Sequence, residues 1–344
     1  MNKQNPSILV AGGGAIGGIT AALLKKASRD IEIVVRDEAY ASLIREKGIE
    51  ISGTCGNHVV RIPAYSSISD IKEKKDIIIL ATKATGMIDA ALSLKTILGE
   101  NGYLISLQNG ICEDDLVSVI GKNGIIGCVT GWGATMERHG KLIMTSKGDF
   151  ILGYPDREPD DFLSEIATIL SSVVPSRVTT NIIGNKYSKL IINSCITSLG
   201  AICGLYLGEM LAIRKIRRIF IEIIREAVLV ADKMNLRIEV FSGRLDFREF
   251  IKNEGFAGDF KRHLLIRAIG LKYRRLKSSA LQSLERGQKT EINYLNGFIV
   301  KHGNELGVEV PVNSAIVDIV HDIEEGRRQI SIANFNDPFF NRFN

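Results

Sequence analysis

Apolar and polar positions follow one rhythm up to about residue 180 and another after it. In the first half, short apolar runs at 7–11, 31–35, 76–81, 103–107 and 124–130 predict β-strands. The stretches 15–27, 38–47, 86–98 and 113–120 repeat their apolar residues at helical spacing. Such alternation argues for a parallel sheet covered by helices on both faces. The run Ile77-Ile78-Ile79-Leu80 suits a strand buried on both sides. Residues 141–153 and 176–180 read as further strands at an antiparallel edge, with a helix over 160–173. Beyond 181 strand signals vanish, and helices are predicted over 184–201, 209–235, 260–286, 290–306 and 312–326. Gly208 is expected to punctuate the first two of these, and Pro311 fits the first turn of the last. Residues 242–258 look like a looser insertion, and 331–344 show no pattern. No internal repeat or low-complexity segment is present. The expected organisation is an α/β domain over 1–181 with a doubly wound sheet, then an all-α domain over 182–344.

Length and composition agree with two soluble domains: 344 residues, 45% apolar and 24% charged. Net charge is 44 − 39 = +5, too small to argue for nucleic-acid binding. The surplus lies in the second half, where 25 basic residues face 18 acidic ones, against 19 and 21 in residues 1–180. A basic second half suits an anionic small molecule, and solvated helix faces produce the same surplus. Five scattered cysteines, without a C-x-x-C pair, read as buried thiols rather than disulfides or a zinc site. Residues 190–208 carry no charge, but Asn193, Ser194, Thr197 and Ser198 among them favour a buried helix over a membrane span. A cytoplasmic protein with no membrane segment is expected.

The chemistry begins at residues 7–18, Ser-Ile-Leu-Val-Ala-Gly-Gly-Gly-Ala-Ile-Gly-Gly. Gly12, Gly14 and Gly17 form G-x-G-x-x-G between a strand and a helix, the setting of a Rossmann-type dinucleotide loop. Gly12 would allow the tight turn, Gly14 the approach of a pyrophosphate, and Gly17 close packing of helix on strand. With Gly13, Ala15 and Ile16 they offer backbone N–H groups at the positive end of a helix dipole. The second strand runs into Arg36 and Asp37, with Arg36 19 residues beyond Gly17. An arginine here favours the 2′-phosphate of NADPH, whereas Asp37 favours the free ribose of NADH or simply caps the next helix. NADPH is the expected cofactor, with NADH not excluded.

Further on, Lys189, Asn193 and Thr197 stand at i, i+4 and i+8 and share one helix face. Polar groups on an otherwise apolar helix need partners, and a partly desolvated lysine is suited to proton transfer. The plainer alternative is a lysine reaching out from the helix with Asn193 satisfied in the core.

Together these motifs resemble the ketopantoate reductase (2-dehydropantoate 2-reductase) family. The likeness rests on 12–17, on Thr82-Lys83-Ala84, on Gln108-Asn109-Gly110, on Lys189 to Asn193, and on the run 277–297. In that run Ser279 and Glu291 stand 12 residues apart, as the family's substrate serine and acidic residue do. The resemblance implies that Lys189 protonates the C2 oxygen of a 2-oxo acid as hydride arrives from the nicotinamide. Asn109, Asn193, Thr197 and Ser279 would hold the substrate, with Ser279 near its carboxylate. Glu291, catalytic beside Lys189, would lie between cofactor ribose and substrate hydroxyl, and Asn109 and Lys83 would also contact the cofactor. Ala134, near Trp132, would border the cofactor, although Trp132 suits a packing role equally.

Two departures stand out. Thr197 occupies a position where the family commonly carries a second asparagine, and a hydroxyl cannot offer two amide donors. The helical domain is also longer than in compact members around 242–275, a segment rich in arginine. Both leave open a different branched or larger 2-oxo acid as substrate. A non-catalytic NADP(H)-binding regulator, which would be expected to lose Lys189 or Glu291, is a further alternative. A homodimer is the expected assembly.

Overall fold

The computed structural model describes residues 6–252 and 255–344. The first compact unit comprises the chain to Gln108 and from Cys112 to Ile183. Its strands are β1 (Ile8–Ala11), β2 (Ile31–Val34), β3 (Ile49–Gly53), β4 (His58–Val60), β5 (Ala64–Tyr65), β6 (Lys75–Leu80), β7 (Leu98–Ser106) and β8 (Ile125–Thr130). β9 (Gly133–Arg138), β10 (Lys141–Ser146), β11 (Phe150–Gly153) and β12 (Ser176–Val178) follow. Its helices are α1 (Ala15–Lys26), α2 (Glu38–Glu46), α3 (Met87–Lys95), α4 (Glu113–Ile120) and α5 (Asp161–Leu170).

Eight strands form the main sheet in the order β12-β11-β8-β7-β6-β1-β2-β5. The six from β8 to β5 pair in parallel. Ranked along the chain, they stand 6-5-4-1-2-3, the doubly wound dinucleotide-binding order read from its far end. β11 runs antiparallel to β8, giving the antiparallel edge that the sequence suggested. β1, β6 and β8 are buried along their whole length, as strands covered on both faces must be.

A second sheet, β4-β3-β10-β9, departs from the sequence reading. β4, β5 and β9 were not anticipated because they are half-exposed with little apolar alternation, and β3 because its alternation, Ile49 and Ile51 against Glu50 and Ser52, spans too few residues to stand out. The apolar stretch 141–153 is two strands in different sheets, β10 and β11.

The second unit comprises Asn109–Ile111 and the chain from Gly184. Its helices are α6 (Ile182–Cys203), α7 (Leu207–Met210), α8 (Arg214–Lys233), α9 (Phe247–Lys252), α10 (Phe256–Lys272), α11 (Ser279–Glu285), α12 (Asn296–Leu306) and α13 (Pro311–Glu324). Among the described residues its only strand-like pairing is the bridge between Phe241 and Leu245. Pro311 opens α13 as expected. Three details correct the sequence reading. The chain leaves α6 at Gly204, in the left-handed conformation at φ +73°, whereas Gly208 lies inside α7. A Cβ on Gly208 would come within 2.8 Å of the Arg274 backbone, so that glycine serves packing. The helix expected over 260–286 is two helices, because Ser278 caps a new one by accepting the N–H of Leu281. The tail also folds, into two 3-10 turns that bury Phe335, Phe340 and Phe343. No helix is long and apolar enough to cross a membrane, and no His, Cys, Asp or Glu cluster suits a metal ion, among the described residues.

Candidate active site

The glycine loop takes the form its spacing requires. Gly12 has φ +114°, which an L-residue rarely adopts, and a Cβ there would meet the Ala81 backbone at 2.9 Å. A Cβ on Gly17 would stand 2.1 Å from the Gly12 carbonyl oxygen. Gly14, by contrast, is exposed, and a Cβ on it would meet nothing within 4 Å. Two glycines are therefore closed in by protein, while the third faces open space where α1 begins at Ala15. Ala15 and Ile16 are half-buried in the first turn of α1, whose N-cap has no side-chain hydrogen bond. That leaves N–H groups at the helix start for an anion, and the loop fits the pyrophosphate of a dinucleotide. Gly13 is fixed from behind, where the Tyr40 hydroxyl donates to its carbonyl at 2.8 Å. Burial raises the pKa of that hydroxyl and keeps it a donor. Tyr40 sits inside an ordinary amphipathic pattern, so no sequence signal marked it.

Asp37 is committed to the backbone. Its carboxylate caps α2, accepting the N–H of Ala39 at 2.7 Å and of Tyr40 at 3.2 Å. The neighbouring Arg36 is exposed and makes no hydrogen bond or ion pair among the described residues. Its guanidinium lies beside Gly86, where a Cβ would come within 2.7 Å of Nη2. Lys83 is exposed three residues beyond the carboxyl end of β6. The loops after β6 and β7 are tied by buried Gln108, whose amide donates to Leu80 and Thr82 carbonyls at 3.1 and 3.2 Å. Ala134 is half-buried on β9 in the second sheet, packed against the core. Trp132 is buried with its ring edge-on to Phe150, which is a packing role.

In the second unit, α6 presents Lys189, Asn193 and Thr197 on one face, the first two half-buried and the third buried. The Asn193 amide donates to Asn109 Oδ1 at 3.4 Å, and the Asn109 amide donates to Glu291 Oε2 at 3.2 Å. Three residues far apart in sequence thus form one hydrogen-bonded row. Gly110, next to Asn109, has φ +83° and lies so close to Tyr294 that a Cβ would meet its carbonyl oxygen at 2.3 Å. Glu291 opens the short 3-10 turn Ile292–Tyr294. The turn is held from its preceding residue, because the N–H and hydroxyl of Thr290 donate to Glu324 at 2.7 and 2.6 Å. Ser279 is the first residue of α11 and is exposed; the capping role belongs to Ser278. Ser278 packs against α6 at Gly200, one turn beyond Thr197, which brings the start of α11 to the same helix. The Ser279 hydroxyl has no partner among the described residues and joins no bond of the Asn193–Asn109–Glu291 row.

A doubly wound sheet with a dinucleotide loop, followed by a helical domain bearing a lysine and an amide–carboxylate row, is the architecture of a two-domain dinucleotide-binding protein. The family description "Ketopantoate reductase PanE/ApbA" matches residues 8–157, and "Ketopantoate reductase PanE/ApbA C terminal" matches 181–324. The chain belongs to the ketopantoate reductase family. It is 28% identical over 324 residues to a 2-dehydropantoate 2-reductase of Pyrococcus abyssi, covering 93% of this chain and 99% of that one. Identity to the corresponding protein of Archaeoglobus fulgidus is 25% over 320 residues, with 93% and 98% covered. Among solved structures, a PanE/ApbA family ketopantoate reductase from Ralstonia eutropha JMP134 superposes with TM-score 0.80 at 24% identity, covering 93% and 99%. A D-mandelate dehydrogenase bound to NADH and anilino(oxo)acetate gives TM-score 0.80 at 20% identity, with the same coverage.

Proposed function

We propose that this protein is an NADPH-dependent 2-dehydropantoate 2-reductase, converting ketopantoate to (R)-pantoate on the cytoplasmic route to pantothenate and coenzyme A. The observation that carries the reading is the Asn193–Asn109–Glu291 row, with Lys189 one turn before Asn193 on α6. When bound, the nicotinamide supplies hydride to C2. Negative charge then develops on the former carbonyl oxygen, where the Lys189 ammonium stabilises it and delivers the proton. Asn193 and Thr197 orient the acid, Ser279 offers its exposed hydroxyl to the substrate carboxylate, and Glu291 accepts a hydrogen bond from the substrate hydroxyl. The residues of 12–17, with Lys83, Asn109 and Ala134, are assigned to the cofactor. NADPH is favoured because Asp37 is occupied as a helix cap, leaving the Arg36 guanidinium to take a 2′-phosphate.

The test is initial rates of NADPH and NADH oxidation with ketopantoate beside a panel of 2-oxo acids. Rapid, NADPH-preferring turnover of ketopantoate is expected, and Arg36→Ala should raise the KM for NADPH while sparing that for NADH. Equal losses with both cofactors would remove the phosphate contact. One observation favours a second reading: Thr197 stands where a longer amide is common, and a similar fold serves D-mandelate dehydrogenase. Better turnover of a larger acid would keep the chemistry and change the substrate. A protein that binds NADPH but reduces none of the acids would be a regulator.

A further inference from the structure

Behind the catalytic face of α6 runs a buried polar chain that the proposed chemistry does not use. Asn296, the first residue of α12, is fully buried. Its amide donates to the Ser194 carbonyl of α6 at 3.2 Å and to Asn313 Oδ1 at 2.9 Å. Its own Oδ1 accepts the hydroxyl of Ser198, also on α6. Asn313, equally buried, donates onward to Glu226 Oε2 at 2.7 Å. The Glu226 carboxylate, buried on α8, accepts the N–H groups of Val312 and Asn313 at 2.8 Å each, in the first turn of α13. One continuous chain therefore locks α6, α12, α13 and α8.

Apolar side chains of similar volume would hold four helices together at least as firmly, since a buried hydrogen bond adds only about 1 kcal/mol net. What a satisfied buried network adds is a single permitted arrangement. Its contacts on α6, Ser194 and Ser198, each immediately follow a proposed substrate residue, Asn193 and Thr197. Asn296 itself lies five residues after Glu291, and Thr290 is anchored to Glu324 at the other end of that turn. A rotation of α6 by about 20° would carry a side-chain tip by roughly 1.5 Å, a displacement of the size that costs on the order of 100-fold in rate.

We infer that Asn296 is a positioning residue, the buried amide that sets the rotation of α6 relative to the turn carrying Glu291. This rests on the reductase reading above. Ser198→Ala removes one bond of the chain without emptying the core, Ser198→Thr restores the hydroxyl, and Asn296→Ala removes the junction.

Each variant is assayed for kcat and KM with the best 2-oxo acid, for NADPH affinity by fluorescence, and by crystallography. Ser198→Ala should lower kcat by about tenfold. NADPH affinity should stay within about twofold, and Ser198→Thr should recover most of the rate. In an Asn193→Ala background the same Ser198→Ala change should cost less than about twofold, because the alignment it protects is already lost. Wild-type kcat with only a lowered melting temperature would overturn the inference. So would an Asn296→Ala crystal structure that keeps the 3.4 and 3.2 Å bonds from Asn193 through Asn109 to Glu291. If the wild-type protein reduces none of the acids, the reductase reading falls. The crystal comparison then decides positioning alone: a broken row supports it and an intact row refutes it.

Discussion

Lys189 and His263, two ionisable side chains of the helical domain, test different things: the first the proposed chemistry, the second the stability of the fold. If Lys189 delivers the proton, Lys189→Ala should lower kcat by about 100-fold to 10,000-fold, the usual scale for a positioned acid. NADPH affinity should barely change, because the lysine is assigned to the substrate oxygen; full turnover in this variant would assign the proton elsewhere. His263 is assigned no part in the chemistry but should make stability depend on pH. Burial lowers its pKa, and the neighbouring Arg217 and Arg214 add to the shift against an opposing effect of Asp259. Its Nδ1 accepts the Nε–H of Arg217 at 3.1 Å, which requires that nitrogen to be unprotonated. A histidine pKa lower in the folded than in the unfolded state gives stability that is present above about pH 6.5 and lost as pH falls through the folded value. Wild type should therefore lose melting temperature relative to His263→Gln as pH falls from 7 to 5. Parallel curves would show that the histidine is not linked to folding. At this scale the sequence displayed the α6 stripe, because i, i+4 spacing needs no tertiary knowledge. It could not display the Asn193–Asn109–Glu291 row, whose members lie 84 and 182 residues apart. Nor could it distinguish Ser278 from Ser279 as the cap, since a one-residue choice depends on the local backbone.

Among the elements, the turn from β1 into α1 separates glycines kept for packing from one kept for a ligand. Gly17→Ala places a methyl 2.1 Å from a backbone oxygen and should destabilise the domain itself, lowering its melting temperature. Gly14→Ala meets open space, so the melting temperature of the cofactor-free protein should hold or rise slightly, as removing a glycine stiffens the unfolded chain. NADPH affinity should nonetheless collapse, because the methyl would occupy the path of the pyrophosphate. Calorimetry with and without NADPH separates the two effects, and unchanged NADPH affinity in Gly14→Ala would overturn the phosphate assignment. The central strands and the helices between them were legible because burial on both faces writes itself as continuous apolar runs. The second sheet was not, since its half-exposed strands draw their stability from pairing with partners remote in sequence. The division between α10 and α11 was hidden by a helical rhythm that runs on through 273–278.

On the scale of the whole molecule, the part least readable from the sequence is the segment whose outward face breaks the usual rule. α10 buries Arg262 and leaves Phe256, Phe260, Leu264 and Leu271 exposed by 88%, 61%, 60% and 65%. At 100° per residue these four fall within an arc of about 80°, in a stripe roughly 22 Å long. Exposed Arg267 falls within the same arc between Leu264 and Leu271, so the stripe is apolar with one basic interruption, and exposed apolar surface on this scale is a mark of interaction sites. A second copy of the chain, pairing stripe to stripe, is the occupant proposed for it. The four side chains leave roughly 500 Å² uncovered, a large part of the about 800 Å² that each partner of a stable complex buries. Lys261, Arg267 and Lys272 on the same helix would then meet basic counterparts across a two-fold axis. Screening by salt relieves such repulsion while leaving the apolar contact, so dimerisation should tighten as ionic strength rises. Sedimentation velocity should show a dimer that strengthens between 0.05 and 0.5 M salt and becomes a monomer in Phe260→Asp. The activity of that variant should follow that of a diluted wild-type monomer. A protein monomeric at every salt concentration, or a Phe260→Asp variant that stays dimeric, would remove α10 from the interface.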